Sequence, residues 1–266
     1  MVRVGVIFPP NQPPERLRSV AESAEGAGLN ELWLWEDCFQ EGGISTATAA
    51  LAWTGRITVG VGLLPVPLRN VTLAAMEIAT VARMFPGRFV PAIGHGVQNW
   101  MGQAGARVDS PMTLLHEYAT ALRSLLAGDR ISVSGRYVHL DDVALDWPPT
   151  VVPPVLIGGW GPRTLALAGS VADGVVVDRP ATLADAIPLV RASRSGAGRD
   201  GEPEVVCFQP IPLDTSPERT ADLVRDLATT GAHRVLVFVT DEGGAPHGGS
   251  VLIDAIAAIG HARELV

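Results

Sequence analysis

Short apolar runs alternate with longer amphipathic segments along most of the chain. The short runs hold about four to six residues rich in valine, isoleucine and leucine, a composition typical of buried strands. The longer segments place apolar residues three or four positions apart, as Leu17, Val20, Ala21 and Ala24 do, and this spacing predicts one buried helix face. The pattern therefore predicts parallel strands joined by helices.

About eight such strand–helix units fit into the chain. The predicted strands are 3–8, 31–35, 57–63, 88–93, 155–157, 174–177, 204–208 and 234–239. The predicted helices are 14–28, 45–54, 70–85, 113–126, 162–171, 183–193, 217–230 and 251–262. Because an open doubly wound sheet usually stops at five or six strands, the number of units favours an α/β fold of the TIM (β/α)₈ barrel class over that alternative.

One region breaks the alternation. Residues 128–150 hold two short alternating runs, 131–133 and 137–140, which predict a small hairpin-like excursion from the barrel. A chain of this length does not require a second domain if it is an α/β barrel. We therefore predict a single domain over residues 1–266.

The basic residues are all arginine, because lysine plus arginine total 20 and the sequence contains 20 arginines. Without lysine the protein can form no Schiff base and no Walker-type phosphate loop. The formal net charge of -8 disfavours nucleic acids and anionic membranes as partners. The chemistry must therefore come from other residue types, acting on a small-molecule substrate.

Three further features favour a cytoplasmic enzyme. The first residues lack the basic and apolar regions of a secretory leader, and no apolar run approaches the ~18 residues that span a bilayer. Cys38 and Cys207 are too few for a disulfide scaffold. The six histidines show no close pairing, so no catalytic metal is expected.

The strongest candidate for ligand binding follows the fifth predicted strand. In a TIM barrel the site lies at the carboxyl ends of the strands. Here Gly158, Gly159 and Gly161 allow close approach of a ligand to the backbone, Pro162 begins a helix, and Arg163 lies in its first turn. Free backbone N–H groups and the helix dipole favour an anion at such a position. The alternative is a tight turn with an arginine in water.

Ionisable side chains follow the second and fourth predicted strands. Glu36, Asp37 and Cys38 follow the second strand, and His95 follows the fourth between two glycines. Neighbouring side chains at a strand end point to opposite sides, so only one of the two carboxylates is expected to face the site. Cys38 is either an acid or polar contact, or a small packed side chain.

Several stretches, taken in order, resemble the bacterial-luciferase-like superfamily of flavin- and deazaflavin-dependent oxidoreductases. The similar stretches are 24–28 (AEGAG), 32–37 (LWLWED), 54–57 (TGRI), 87–89 (GRF), 94–96 (GHG), 154–159 (PVLIGG), 161–162 (GP), 167–169 (LAG) and 172–174 (ADG). The resemblance covers about residues 1 to 180. It implies a TIM barrel that binds the deazaflavin coenzyme F420, or alternatively FMN, at the carboxyl ends of the strands, with the coenzyme phosphate near the strand-five loop.

The resemblance also implies roles for individual residues. A non-proline cis peptide bulge is expected at Gly62–Leu63 under the coenzyme ring, and Asp37 is expected to contact the ring. Asp37 and Cys38 are the predicted catalytic residues. The rest of the predicted coenzyme-binding set is Gly94, His95 and Asn99 near the ring and side chain, and Gly159, Trp160, Gly161, Pro162 and Arg163 near the phosphate.

Departures from the family pattern disfavour two of the family's substrate classes. Sugar-phosphate dehydrogenases of the family carry a histidine and a glutamate where this chain has Cys38 and Val97, and they use lysines that this chain lacks. Pterin reductases carry a glutamate in the first strand, where this chain has Ile7. Sugar phosphates and pterins are therefore both disfavoured as substrates.

The first hypothesis is an F420-dependent oxidoreductase that transfers a hydride between deazaflavin C5 and a small organic substrate. The alternatives are an FMN-dependent luciferase-like monooxygenase, a non-catalytic flavin- or deazaflavin-binding protein, and a redox-inactive barrel such as a sugar-phosphate isomerase or lyase. A homodimer is a family tendency and is expected here as well.

Overall fold

Eight parallel strands close into a barrel in the computed structural model, which describes residues 2–248 and 250–266. The strands in chain order are β1 (Arg3–Phe8), β2 (Glu31–Leu34), β3 (Thr58–Pro65), β4 (Phe89–Gly94), β5 (Ile131–Ser134), β6 (His139–Val143), β7 (Leu156–Gly158), β8 (Gly174–Val177), β9 (Glu204–Pro212) and β10 (Arg234–Thr240). The barrel order is β1–β10–β9–β8–β7–β4–β3–β2, and β5 and β6 form a separate antiparallel hairpin. The predicted TIM barrel is confirmed.

Helices cover the outside of the barrel. They are α1 (Leu17–Gly26), α2 (Gly43–Trp53), α3 (Val71–Met84), α4 (Gln98–Gln103), α5 (Pro111–Ala127), α6 (Pro162–Val171), α7 (Leu183–Gly196), α8 (Pro217–Thr230) and α9 (Ser250–Glu264). None of the helices in the described ranges is long and apolar enough to cross a membrane.

Two elements differ clearly from the sequence prediction. Helix α4 is absent from the prediction because its six residues contain too few apolar positions to show a helical period. Strand β9 continues to Pro212, beyond the predicted end at residue 208. Glu204 N donates to Asp173 O on the β8 side, so the nitrogens of Pro210 and Pro212, an even number of residues further on, face the same side. β8 pairs with β9 only as far as Cys207. The prolines therefore remove no hydrogen bond from the pairing with β10.

Apolar side chains fill the inside of the barrel and the layer between the strands and the helices. The inner cluster consists of Ile7, Trp33, Val90, Ala92, Leu156, Val176, Val206, Phe208 and Leu236. A larger cluster joins the outward side chains of the strands to the helices. The barrel is therefore a packed core rather than a channel, as is usual for this fold.

A buried ionic network closes the amino-terminal end of the barrel. Glu31, Glu204 and Arg234 are the first residues of β2, β9 and β10, and Arg234 pairs with both carboxylates. Trp33 Nε1 donates to Glu31 Oε2 at 2.7 Å. Burial raises the pKa of Glu31, and the charge of Arg234 opposes that shift. The amino-terminal end of the barrel therefore stabilises the fold, and the carboxyl-terminal end is available for a functional site.

Candidate active site

A cavity of about 600 Å³ lies at the carboxyl ends of the barrel strands. Of the predicted site residues, those that line it are Asp37, Gly62, Leu63, His95, Gly159, Trp160 and Gly161. Lining residues outside the predicted set include Trp35, Gln98, Trp100, Thr164, Asp178, Phe208 and Phe238. Cys38, Gly94, Asn99, Pro162 and Arg163 do not line this cavity.

An irregularity near the end of β3 forms the floor of the cavity. The Gly62–Leu63 peptide is cis, at the position that the resemblance implies. The pairing of β3 with β4 shifts between Gly62 and Leu64, and Leu63 lines the cavity. A Cβ atom at Gly158 or Gly94 would lie 2.3 Å or 2.7 Å from the Leu63 side chain. These two glycines thus make room for Leu63.

One wall of the cavity is aromatic. The Trp35 ring centroid lies 6.0 Å from that of Phe208 and 5.1 Å from that of Phe238. Trp35 Nε1 is buried and has no hydrogen-bond partner among the described residues. An unsatisfied buried donor costs about 1–3 kcal/mol, so a ligand acceptor at this point would be stabilised. Side chains alternate along a strand, so Trp35 points to the inside of the barrel as Trp33 does. This orientation could have been predicted from the sequence.

The two adjacent carboxylates have different surroundings. Glu36 is bound by both ends of the Arg69 guanidinium, and its Oε2 accepts from Gly43 N at 2.6 Å. Arg69 also pairs with Glu77 at 3.3 Å. No described residue donates a hydrogen bond to the half-buried Asp37 carboxylate, and burial raises the pKa of Asp37. Both residues line the cavity, so the expectation that only one would face the site is wrong. Glu36 is held in a structural ion pair, however, whereas Asp37 is available to a ligand.

Cys38 lies beside these carboxylates but outside the cavity lining. Its side chain is half-buried. Burial raises the pKa of the thiol, and the negative charges of Glu36 and Asp37 raise it further. The side chain consequently stays a thiol at neutral pH, and it is a poor nucleophile in that form.

The loop after β4 carries a histidine and an amide into the cavity. His95 Nδ1 donates to Gly96 O at 2.9 Å, and Gln98 Nε2 donates to His95 O at 3.1 Å. Asn99 is exposed on α4, while the preceding Gln98 lines the cavity. Within residues 2–248 and 250–266, no group of three acidic, histidine or cysteine side chains is arranged as metal ligands.

The loop between β7 and α6 forms the opposite side of the cavity. Gly161 is the residue before the helix, and no side chain caps the helix at that position. Thr164, in the first turn, is buried and lines the cavity, and its hydroxyl donates only to Met112 Sδ at 3.7 Å. Since a thioether is a weak acceptor, the Thr164 hydroxyl and the free N–H groups of α6 are suited to an anion.

Two arginines flank this helix terminus. Arg163 is exposed in the first turn of α6, outside the cavity lining. The Arg179 guanidinium lies 4.0 Å from the centroid of the Trp160 ring, and that ring lines the cavity. A cation over an indole face is a favourable contact. The position of Thr164 could have been predicted locally, since it follows Arg163 in the first turn of α6. The contact of Arg179 with Trp160 could not, because it depends on how β7 and β8 pair.

Comparison with known proteins places this geometry in a family. The family model for the luciferase-like monooxygenase matches residues 2–262. A 5,10-methylenetetrahydromethanopterin reductase from Methanolobus tindarius is 27% identical over 213 residues, 79% of this chain and 65% of the relative. An F420-dependent glucose-6-phosphate dehydrogenase from Nakamurella multipartita is 28% identical over 226 residues, 77% of this chain and 66% of the relative.

The alignments thus span slightly less than two thirds of these relatives. A solved structure of an F420-dependent secondary alcohol dehydrogenase in complex with an F420-acetone adduct superposes with a TM-score of 0.86 at 18% identity. The match covers 98% of this chain and 99% of that structure, and it shows the shared fold. Because the family model matches nearly the whole chain, the protein belongs to the luciferase-like monooxygenase family of enzymes.

Proposed function

We propose that this protein is an F420-dependent oxidoreductase that transfers a hydride between deazaflavin C5 and a small organic substrate. The observation that carries the proposal is the joint placement of three features in one cavity: Asp37, the Gly62–Leu63 floor and the 158–161 loop before α6. Relatives named as F420-dependent enzymes support the choice of coenzyme. When bound, F420 supplies two-electron hydride chemistry at C5 of its ring.

The cavity suits a planar ring with an anionic tail. Its volume of about 600 Å³ lies within the usual range for small-molecule sites. Leu63 would support the ring, and the free Nε1 of Trp35 would donate to a ring acceptor. The aromatic wall of Trp35, Phe208 and Phe238 would exclude water from the ring.

The phosphate of the coenzyme would lie at the amino terminus of α6. The proposed ligands are the backbone of Gly159, Trp160 and Gly161, the Thr164 hydroxyl and the Arg163 side chain, with Pro162 fixing the start of the helix. His95 and Gln98 would contact the coenzyme from the β4 loop, with Gly94 and Asn99 in supporting positions.

Asp37 is the proposed proton donor and acceptor for the substrate. Reduction of a carbonyl or imine requires a proton as well as a hydride, and a carboxyl with a raised pKa holds its proton closer to neutral pH. Cys38, which stays a thiol, is the second proposed catalytic residue. Because Cys38 does not line the cavity, Asp37 is the better supported of the two catalytic residues.

Separate titrations with F420 and FMN, followed by ring fluorescence, test the coenzyme. We expect F420 to bind more tightly than FMN. Tighter binding of FMN would favour the monooxygenase alternative, and binding of neither would exclude both coenzyme-dependent functions. Tight F420 binding without turnover of an enone, imine and alcohol panel would favour a carrier protein instead.

Replacing Arg163 with alanine tests the phosphate assignment. Arg163→Ala is expected to weaken F420 binding about tenfold, because a charge-assisted contact to phosphate is worth about 1.5 kcal/mol or more. Arg219→Ala, an exposed arginine on α8, is the matched control and should bind F420 normally. Both variants should unfold near the wild-type temperature. Unchanged F420 affinity in Arg163→Ala would contradict the assignment.

A homodimer and a cytoplasmic location stay predictions. Leu73, Met76 and Met84 are exposed along one face of α3, with 48%, 57% and 59% of their surfaces accessible. These apolar side chains support contact with a second copy of the chain. Light scattering after size-exclusion chromatography measures the oligomeric state directly.

A further inference from the structure

A second groove lies at the same end of the barrel, outside the cavity described above. It has a volume of about 480 Å³ and is formed by the segment after β1 and the loop before α2. Prolines 10, 13 and 14 give it apolar walls, and Glu41, Ser45 and Thr46 are among its polar lining residues. The groove shares no lining residue with the aromatic cavity.

Glu41 is the unusual group in this groove. Its Oε1 is buried and has no hydrogen-bond partner among the described residues. Burial of the carboxyl, with a smaller effect from the negative charge of Glu15, raises the pKa of Glu41 to about 7. A buried carboxylate oxygen without a donor is costly, so a donor supplied by a ligand would be stabilising.

Two hydroxyls beside Glu41 offer acceptors, and the amides of Asn11, Gln12 and Gln40 also line the groove. Ser45 Oγ donates to Gly42 O at 2.9 Å, and Thr46 Oγ1 donates to the same oxygen at 2.9 Å. Each hydroxyl has thereby used its only hydrogen and keeps free lone pairs. No arginine or histidine lines the groove within the described ranges. The described lining therefore carries only negative charge, and free acceptor lone pairs lie on Ser45 and Thr46.

We propose that this groove binds the ammonium group of a small organic amine, with Glu41 as its counterion and the hydroxyls of Ser45 and Thr46 as further acceptors. An ammonium brings a positive charge, which the described lining lacks, together with three donors. The proline rings would contact the alkyl part of the amine. The inference is independent of the coenzyme, since it concerns residues outside the aromatic cavity.

Calorimetric titration of the coenzyme-free protein with butylammonium chloride tests the site, and butan-1-ol is the uncharged probe of matched size. We expect butylammonium to bind at least tenfold more tightly than butanol. Glu41→Gln should lose at least tenfold in butylammonium affinity. Glu264→Gln, an exposed carboxylate at the end of α9, should bind as the wild type does. Absence of butylammonium binding, or equal affinity for the two probes, would overturn the proposal.

The pH dependence of binding gives an independent readout. Because the pKa of Glu41 is about 7, the fraction of ionised carboxylate rises about tenfold from pH 6 to pH 8, and butylammonium stays charged throughout. Affinity should therefore rise by about that factor in the wild type, and stay flat in Glu41→Gln. Affinity that does not change with pH in the wild type would assign the binding to another group.

Discussion

At the scale of single residues, the environment of a carboxylate decides what it can do. Glu36 and Asp37 are neighbours in the sequence, yet Arg69 and the Gly43 N–H bind the first, and no described side chain or backbone N–H binds the second. The alternation of side chains along a strand predicts that Glu36 and Asp37 have different surroundings. It does not predict which of the two carboxylates forms the ion pair. Arg69 comes from the segment after β3, so the pairing exists only once β2 and β3 lie side by side.

Replacing Asp37 with asparagine tests its raised pKa. The folded protein holds the Asp37 proton more tightly than the unfolded chain does, so the carboxyl lowers stability as pH rises above its unfolded pKa and through the raised folded value. Asp37→Asn removes this effect. The variant is expected to have a higher free energy of unfolding than the wild type at pH 7, with the difference shrinking towards pH 3.

Urea denaturation at several pH values measures this difference. Asp254→Asn, at an exposed position on α9, is the control and should show a much smaller dependence on pH. A loss of stability in Asp37→Asn at pH 7 would mean that an unrecognised contact stabilises the carboxylate.

At the scale of elements, close packing fixes the helix that carries the proposed phosphate site. Helix α6 packs against α7 through Gly169, where an added Cβ would lie 2.2 Å from the backbone oxygen of Val190. A backbone oxygen cannot move aside as a flexible side chain can. The position of the α6 amino terminus at the cavity therefore depends on a small residue on the far side of the helix.

Gly169→Ala is expected to lower the free energy of unfolding by about 1–3 kcal/mol, the usual cost of an added methyl group in a tight contact. Gly196→Ala, at the end of α7, is the matched control, because a Cβ there meets no atom within 4 Å. The control should be neutral or slightly more stable, since alanine restricts the unfolded chain. Equal stability of the two variants in urea denaturation would contradict the packing argument.

Elements with strong local signals could be predicted from the sequence to the residue. Strand β1 and helices α6 and α8 match their predicted bounds, because proline starts each helix and the apolar spacing is regular. The short helix α4 and the proline-containing end of β9 could not be predicted in this way, since their conformations depend on contacts with neighbouring elements. The same limit applies to the site, because Arg179 contacts Trp160 only through the pairing of β7 with β8, which no local pattern predicts.

At the scale of the whole molecule, closure of the barrel joins the last strand to the first. Residues 3–6 of β1 pair with residues 234–237 of β10. Arg234 connects this seam to β2 and β9 through its contacts with Glu31 and Glu204. Glu31 is fully buried, and its charge is compensated mainly by Arg234 and also by Arg3 of β1 at 3.6 Å. The first and last strands of the barrel are thus joined by ion pairs through Glu31 as well as by backbone hydrogen bonds.

Arg234→Met is expected to cost about 3–5 kcal/mol, because it leaves the buried Glu31 carboxylate with only the more exposed Arg3, 3.6 Å away, as a cation. Arg130→Met is the control, since Arg130 and Asp142 form an exposed pair that contributes about 1 kcal/mol or less. Thermal and urea unfolding measure both variants. A double variant, Arg234→Met with Glu31→Gln, should recover part of the lost stability, and failure to recover would show that the network is not the cause.

The ionic network and the cavity lie at opposite ends of the same strands, and this separation bears on protein engineering. The first residues of β2, β9 and β10 carry the charges that stabilise the closed barrel, whereas the loops after the strands line the cavity. Exposed Val97 lines the cavity and lies outside the proposed coenzyme contacts, so it can be varied without touching Glu31, Glu204 or Arg234. The preceding Gly96 should be kept, because its φ is +71° and an added Cβ would lie 2.8 Å from Met101 Sδ. A library at position 97 should therefore yield mostly folded variants, which makes it a suitable starting point for directed evolution of the cavity.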